Sequence, residues 1–243
     1  RAHGEMTMRE AIAFSSNVYF YYISGGYGDQ EGLGIEKMNE YFDLFQFGQP
    51  TGIALANEQS GTVPSPAWKE ATFDEPWRLG NTYQSSIGQF GWQVTPLQMV
   101  VAYGAIANGG QLLTPHIQAG REPEATSISL NPESLQVVRE GMRMTTNYPG
   151  GTARGLEKDY VAIAAKSGTA EIGAGNAYVN SWAKGYWPYD DPQYAFILMM
   201  DKAPRSNTLG ATTIMGDVVD WIHEHRPEYL GIDPTAVSSE ETN

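Results

Sequence analysis

One stretch constrains this chain more than any other. Ala164-Ala165-Lys166-Ser167-Gly168-Thr169-Ala170-Glu171 follows directly on the apolar run Val161-Ala162-Ile163. The sequence predicts a strand from Tyr160 to Ser167 that carries polar chemistry at its end. Side chains alternate along a strand. Lys166 and Gly168 then point one way, Ser167 and Thr169 the other. Gly168 offers no side chain, so a ligand can approach the backbone there. A peptide carboxylate lying along such a strand would meet hydroxyl donors, backbone N–H groups and an ammonium. The plainer reading of the same residues is a strand that closes in a polar turn.

A second polar group stands far upstream. Thr7-Met8-Arg9-Glu10 fits a capping box. Met8, Ala11, Ile12, Val18, Tyr19, Tyr22 and Ile23 then follow a helical period that stops at Gly25-Gly26. By period alone this is one helix running through Ser15-Ser16-Asn17. Each helical residue turns about 100°, so Ser15 and Asn17 would face about 200° apart and could not serve one site. If they do share a site, the helix must break between them, and Asn tolerates such turns.

The rest of the chain reads as helices, then strands, then a helix. Gly34 to Phe47 is amphipathic, with Ile35, Met38, Phe42 and Phe45 in one stripe. Pro50 to Thr82 is loop-like, punctuated by Pro64, Pro66 and Pro76. Thr95-Pro96-Leu97-Gln98 is a strong helix start, and that helix ends at Asn108-Gly109-Gly110. It is apolar nearly all round and should be buried. Thr114-Pro115-His116 opens a crossing stretch. Asn131-Pro132-Glu133 begins another helix, with Leu135, Val138 and Met142 as its stripe. Ser181–Trp187 and Tyr194–Met200 read as two strands joined at Pro188-Tyr189-Asp190-Asp191-Pro192. Ile214, Val218, Trp221 and Ile222 mark a last helix. Beyond His223 the chain turns polar, and a frayed tail is expected from about residue 226.

Composition limits the function classes. Lys and Arg number 15 against 28 Asp and Glu, a formal charge of −13, which argues against nucleic acid and anionic membrane surfaces as partners. With no cysteine there are no disulfides or thiolate metal sites. His3, His116, His223 and His225 lack a metal-binding spacing, so neither metal nor cofactor is expected. No apolar run is long enough to span a bilayer.

Lysine-hydroxyl-glycine and serine-x-asparagine boxes, in this chain Lys166-Ser167-Gly168 and Ser15-Ser16-Asn17, belong to the signature of penicillin-recognising enzymes. The segments between them also resemble one family, the transpeptidase domain of class B penicillin-binding proteins. The resembling stretches are HGEMTMREAIAFSSNVYFY (3–21), GIEKMNEYFDLFQFGQPTGIALANEQSGTVP (34–64), SIGQFGWQVTPLQMVVAYGAIANGG (86–110), GGTARG (150–155) and AAKSGTAE (164–171). Together they spread over most of the chain from about residue 3 to about residue 225. The overall pattern is closer to the elongation type, similar to penicillin-binding protein 2. One departure is Phe90, where the family's glycine-glutamine turn usually continues with glycine.

The resemblance implies an α/β fold of the β-lactamase/transpeptidase type, an antiparallel sheet flanked by helices. It implies a peptidoglycan D,D-transpeptidase that cross-links stem peptides through a serine acyl-enzyme and is acylated by β-lactams. Ser15 would relay the proton to the leaving amine, Asn17 would hold the amide of the acyl group, and Lys166 would add positive potential and tune the relay. Ser167 and Thr169 would bind the substrate carboxylate, with Gly168 between them giving access, and the Thr169 N–H would donate to the oxyanion.

The family's serine-x-x-lysine box lies upstream of its serine-x-asparagine box. The one match here, Ser181-Trp182-Ala183-Lys184, lies downstream and on a predicted strand, where positions three apart face opposite ways. Residues 1–243 therefore read as the C-terminal part of a single transpeptidase domain, lacking the nucleophile and the first two of five strands and inactive by itself. Expected partners are the stem peptide, β-lactams, the upstream half of the domain and cell-wall synthesis proteins of the membrane, at the extracytoplasmic face of the bacterial cytoplasmic membrane. Two other readings stay open: a non-catalytic module binding peptidoglycan peptides or a partner protein, and a β-lactamase or β-lactam sensor.

Overall fold

In the computed structural model of this chain, residues 4–233 are described. They form helices and antiparallel sheets gathered into two compact units, each discontinuous in sequence. Of the described residues, one unit holds 4–15, 103–110 and 130–233. The other holds Ser16–Ala102 and Gln111–Ser129. The chain passes from one to the other within a turn, in mid-helix or in the short loop before Pro132.

The first unit is built on a three-stranded antiparallel sheet in the order β3 (Ala164–Ile172), β4 (Tyr178–Trp187), β5 (Tyr194–Pro204). β3 starts later than the sequence suggests and runs straight through the polar stretch. Val161 and Ile163 are buried, but they pack without joining the ladder. The apolar run marks burial, while the strand is set by pairing with β4.

The register sorts the two faces. Ala165 lies opposite Gly185 and Gly185 opposite Phe196, while Ala183 faces Leu198. This face packs on helix α8 (Ala211–His225), and Ile163, Ala165, Ala183, Trp187, Phe196, Met215 and Val219 share one core. The small residues are required: a Cβ on Gly185 would fall 2.1 Å from the Ala164 carbonyl oxygen. Ser181 Oγ accepts the Ala211 N–H at 2.9 Å and so caps α8, whose own N-cap is Gly210.

The opposite face carries Tyr186, whose hydroxyl accepts from Arg139 Nε of helix α7 (Pro132–Asn147) at 3.1 Å. Helix α1 (Met8–Ala13) packs on α7. Gly141 permits that contact, because a Cβ there would lie 2.9 Å from Ile12. The expected starts hold at both helices: Thr7 and Glu10 form the reciprocal box on α1, and the Asn131 side chain caps α7 with Pro132 behind it.

The second unit contains helices α2 (Asn17–Gly25), α3 (Gly34–Leu44), α4 (Pro66–Phe73) and α5 (Leu79–Ser86), and the hairpin of β1 (Gln111–Leu113) and β2 (Ala125–Ser127). α6 (Pro96–Ala107) starts in it and ends in the first unit. The span Pro50–Thr82 is therefore not one long loop. Ser65-Pro66 is a capped start, with the Ser65 hydroxyl accepting from Trp68 N at 3.1 Å, the same device as at Thr95-Pro96 but obscured by the neighbouring prolines. The buried Lys69 ammonium donates to the Pro76 carbonyl at 2.8 Å and Asn81 Oδ1 at 3.1 Å, pinning the turn between α4 and α5.

Gln98 does more than close its box. It accepts from Thr95 N, and its amide donates to the Gln49 and Ser60 carbonyls, both at 2.8 Å. Phe90 sits at φ 59°, the left-handed region glycine favours. Its ring packs edge-on to Trp68 and Trp77, contacts that a glycine would lack.

The expected fraying from about residue 226 is corrected within the described residues. Pro227–Leu230 form a short 3-10 helix, Leu230 is buried in the α8 core, and Trp187 Nε1 donates to the Tyr229 carbonyl at 2.7 Å. Polar composition hid two anchors, Pro227 and Leu230. Residues 234–243 of the predicted tail lie outside the described residues. Leu230→Ala should lower unfolding free energy by about 2–5 kcal/mol, the range for emptying a buried leucine site, read from denaturant midpoints. A frayed end would give almost no change.

Candidate active site

The site is assembled around β3. Lys166 and Lys184 are Cα partners across the β3–β4 ladder, as are Gly168 and Trp182. All four positions therefore lie on the face opposite the α8 core. Lys166 is half-buried. Its ammonium donates to Ser15 Oγ at 2.8 Å and to the Ser167 carbonyl at 3.1 Å.

Ser15 reaches that position because the helix breaks. α1 ends at Ala13, Ser15 takes φ 54°, and α2 begins at Asn17, with Ser16 as its N-cap accepting from Tyr19 N at 3.4 Å. A left-handed residue other than glycine costs roughly 1–2 kcal/mol and persists only where its surroundings hold it. Ser15 is exposed at its turn and Asn17 is exposed at the first position of α2. The fold thus brings Ser15 and Lys166 together within one unit, while Asn17 belongs to the other.

Ser167 occupies the opposite side of the strand. Its hydroxyl lies 2.6 Å from Thr152 Oγ1. Thr152 is delivered by the loop after α7, which is tied down at two points. The Thr152 N–H donates to the Ala13 carbonyl at 3.2 Å and the Ala153 N–H to the Thr145 carbonyl at 3.0 Å. Gly151 must be glycine, since a Cβ would fall 2.3 Å from the Thr145 carbonyl oxygen. Thr169 is exposed. β3 has no second strand partner among the described residues, so its outer backbone groups are open to an extended ligand.

Sequence reasoning missed one residue of this face. By sequence, Lys184 enters only as the lysine of the Ser181-Trp182-Ala183-Lys184 match. The ladder puts Ser181 on the α8 side and Lys184 beside Lys166, so the two cannot act as nucleophile and base. The Lys184 ammonium reaches over Gly168, 2.8 Å from where a Cβ would stand. The signal available in advance was strand alternation: Lys184 and Trp182 share a face, and that face is set by whichever residue meets Lys166.

Burial, and then the charge of Lys184, push the Lys166 ammonium down to about 7. Burial pushes Lys184 down to about 8. Among the described residues there is no group of His, Asp and Glu able to hold a metal ion.

The sequence profile of the penicillin binding protein transpeptidase domain matches residues 1–220, and the chain belongs to that family. It is 27% identical over 249 residues to the peptidoglycan D,D-transpeptidase MrdA of Haemophilus influenzae, spanning 92% of this chain and 37% of that protein. MrdA of Acinetobacter baumannii is 34% identical over 179 residues, 70% of this chain and 26% of the relative. The fold matches Helicobacter pylori PBP2, solved in complex with MreC, with TM-score 0.77 and 29% identity over 91% of this chain and 41% of that one. It also matches Pseudomonas aeruginosa PBP2 in complex with WCK 5153, with TM-score 0.76 and 26% identity over 92% and 52%. The chain thus spans less than half the length of the curated relatives it matches.

Two depressed lysines give a signed pH dependence. The unfolded chain holds these protons to about pH 10.4, while the folded state releases them near 7 and 8. Between those limits the unfolded state binds more protons, so stability rises with pH. Lys184→Met should flatten that rise, gaining more stability over the parent at pH 7 than at pH 10. Denaturant midpoints at the two pH values measure it, and a parallel offset at both would contradict the assignment.

Proposed function

We propose that this chain forms the substrate-binding and proton-handling part of a peptidoglycan D,D-transpeptidase, a penicillin-binding protein similar to PBP2. The observation that carries the reading is the 2.8 Å contact between Lys166 Nζ and Ser15 Oγ, which joins two boxes 151 residues apart in a chain of the transpeptidase family. Proton handling needs a hydroxyl and an amine in direct contact near neutral pH. Lys166, pushed down to about 7, supplies the amine.

The reaction is acyl transfer. A serine oxygen attacks the penultimate D-alanine carbonyl of a stem peptide, the C–N bond breaks, and the serine proton passes by way of Ser15 to the departing amine. An amine of a second peptide then attacks the ester, the C–O bond breaks, and serine recovers its proton. Ser167 and Thr169 take the substrate carboxylate, and Gly168 lets the peptide lie against β3. The Thr169 N–H donates to the oxyanion. Asn17 keeps the role the resemblance implies, holding the amide of the acyl group. That Ser181 and Lys184 face opposite sides of the sheet supports the reading that the attacking serine lies outside these 243 residues and that this chain alone is inactive.

The wider expectations form part of the proposal: acylation by β-lactams, association with membrane cell-wall synthesis proteins and with the upstream half of the domain, and a place at the extracytoplasmic membrane face. No helix among the described residues is long and apolar enough to cross a membrane.

The test is acylation of the full-length protein by a labelled penicillin. Covalent label is expected, and Lys166→Ala or Ser15→Ala should slow its formation by about 10²–10⁴-fold, the usual contribution of positioned proton transfer. A folded protein that takes no label yet binds stem peptide would be the non-catalytic module instead.

A further inference from the structure

Lys184 belongs to neither box, yet it stands directly across the ladder from Lys166. Like charges placed opposite each other on a sheet repel, and a half-buried ammonium ordinarily finds an anion. Neither lysine forms an ion pair among the described residues.

Five charged groups of α1 and α7 are engaged elsewhere. On α7, Arg139 binds the Tyr186 hydroxyl and the Tyr189 carbonyl, and Arg143 binds Thr146 and the Ile163 carbonyl. Glu140 is held by Arg9 of α1 and by Gln136, and Glu10 by Thr7. Among the described residues, the partner of the Lys184 ammonium is the Trp182 ring on its own strand, 5.9 Å away. Gly168 leaves that ammonium its room, because a Cβ there would stand 2.8 Å from Lys184 Nζ and 3.3 Å from Trp182 Cβ.

We propose that Lys184 is a positioning residue whose ammonium, held across the ladder from Lys166 with no anion between them among the described residues, adds to burial in favouring the neutral amine form of Lys166. Lys166 then accepts a proton shared with Ser15 Oγ and returns it, while Lys184 itself touches no reacting atom. The low titration range of both groups agrees with this. The inference rests on the reading of Ser15 and Lys166 as the proton-handling pair.

Lysine ¹³Cε NMR on the full-length protein tests it, with Lys166→Met identifying the Lys166 resonance. In the parent, Lys166 should titrate near 7. In Lys184→Met its midpoint should rise, and in Lys184→Arg, which keeps the charge, it should stay low. Each unit of rise removes about tenfold of the neutral amine at neutral pH. Penicillin acylation by Lys184→Met should accordingly be several-fold slower at pH 7, recover toward pH 9, and return with Lys184→Arg. An unchanged Lys166 midpoint in Lys184→Met, or equal shifts in the Met and Arg variants, would overturn the proposal. Lys184→Gln serves if the Met variant is poorly folded. Failure of the parent to acylate would strike at the transpeptidase reading instead, while the titration would still decide the role of Lys184.

Discussion

Everything at this site depends on the pairing of β3 with β4. A one-residue slip in that ladder would turn Lys166 into the α8 core and Ser167 toward Ser15. The register is held by shape rather than by polar contacts. Ala165 and Ala183 lie under α8, Gly185 leaves no room for a Cβ beside Ala164, and Phe196 fills the space beyond. Small residues in the strand are thus a packing requirement, and the polar stretch inherits its orientation from them.

The second constraint is the broken helix. Ser15 accepts an unfavourable backbone conformation so that its hydroxyl can meet an ammonium from a strand far away in sequence. The same turn frees Ser16 to cap α2, which recovers part of the cost. The loop after α7 couples the two constraints, since it is tied to the end of α1 through Ala13 and places Thr152 against Ser167. Hydroxyls therefore approach β3 on both faces, Ser15 on one and Thr152 on the other.

Much of the fold was legible because its signals are local. Capping boxes at Thr7 and Thr95 and the proline start at Asn131 each need only four neighbouring residues, and all three appear as read. The misreadings share a cause. Val161 and Ile163 looked like strand because burial and strand pairing leave the same apolar mark. The segment around Ser65 reads as loop because neighbouring prolines obscure a capped helix start, and the segment around Leu230 because polar composition masks two buried anchors. The β1–β2 hairpin, only three residues a side, carries too little periodicity to be seen.

The sequence by itself determined the family, the boxes, and the alternation that separates Lys166 from Ser167, because period and motif are properties of neighbouring residues. Only the tertiary structure decided that Ser15 breaks its helix to meet Lys166, and that Lys184 rather than a carboxylate stands opposite. Those are long-range facts: they follow from which strand pairs with which, and in what register, and no local pattern encodes a partner more than a few residues away.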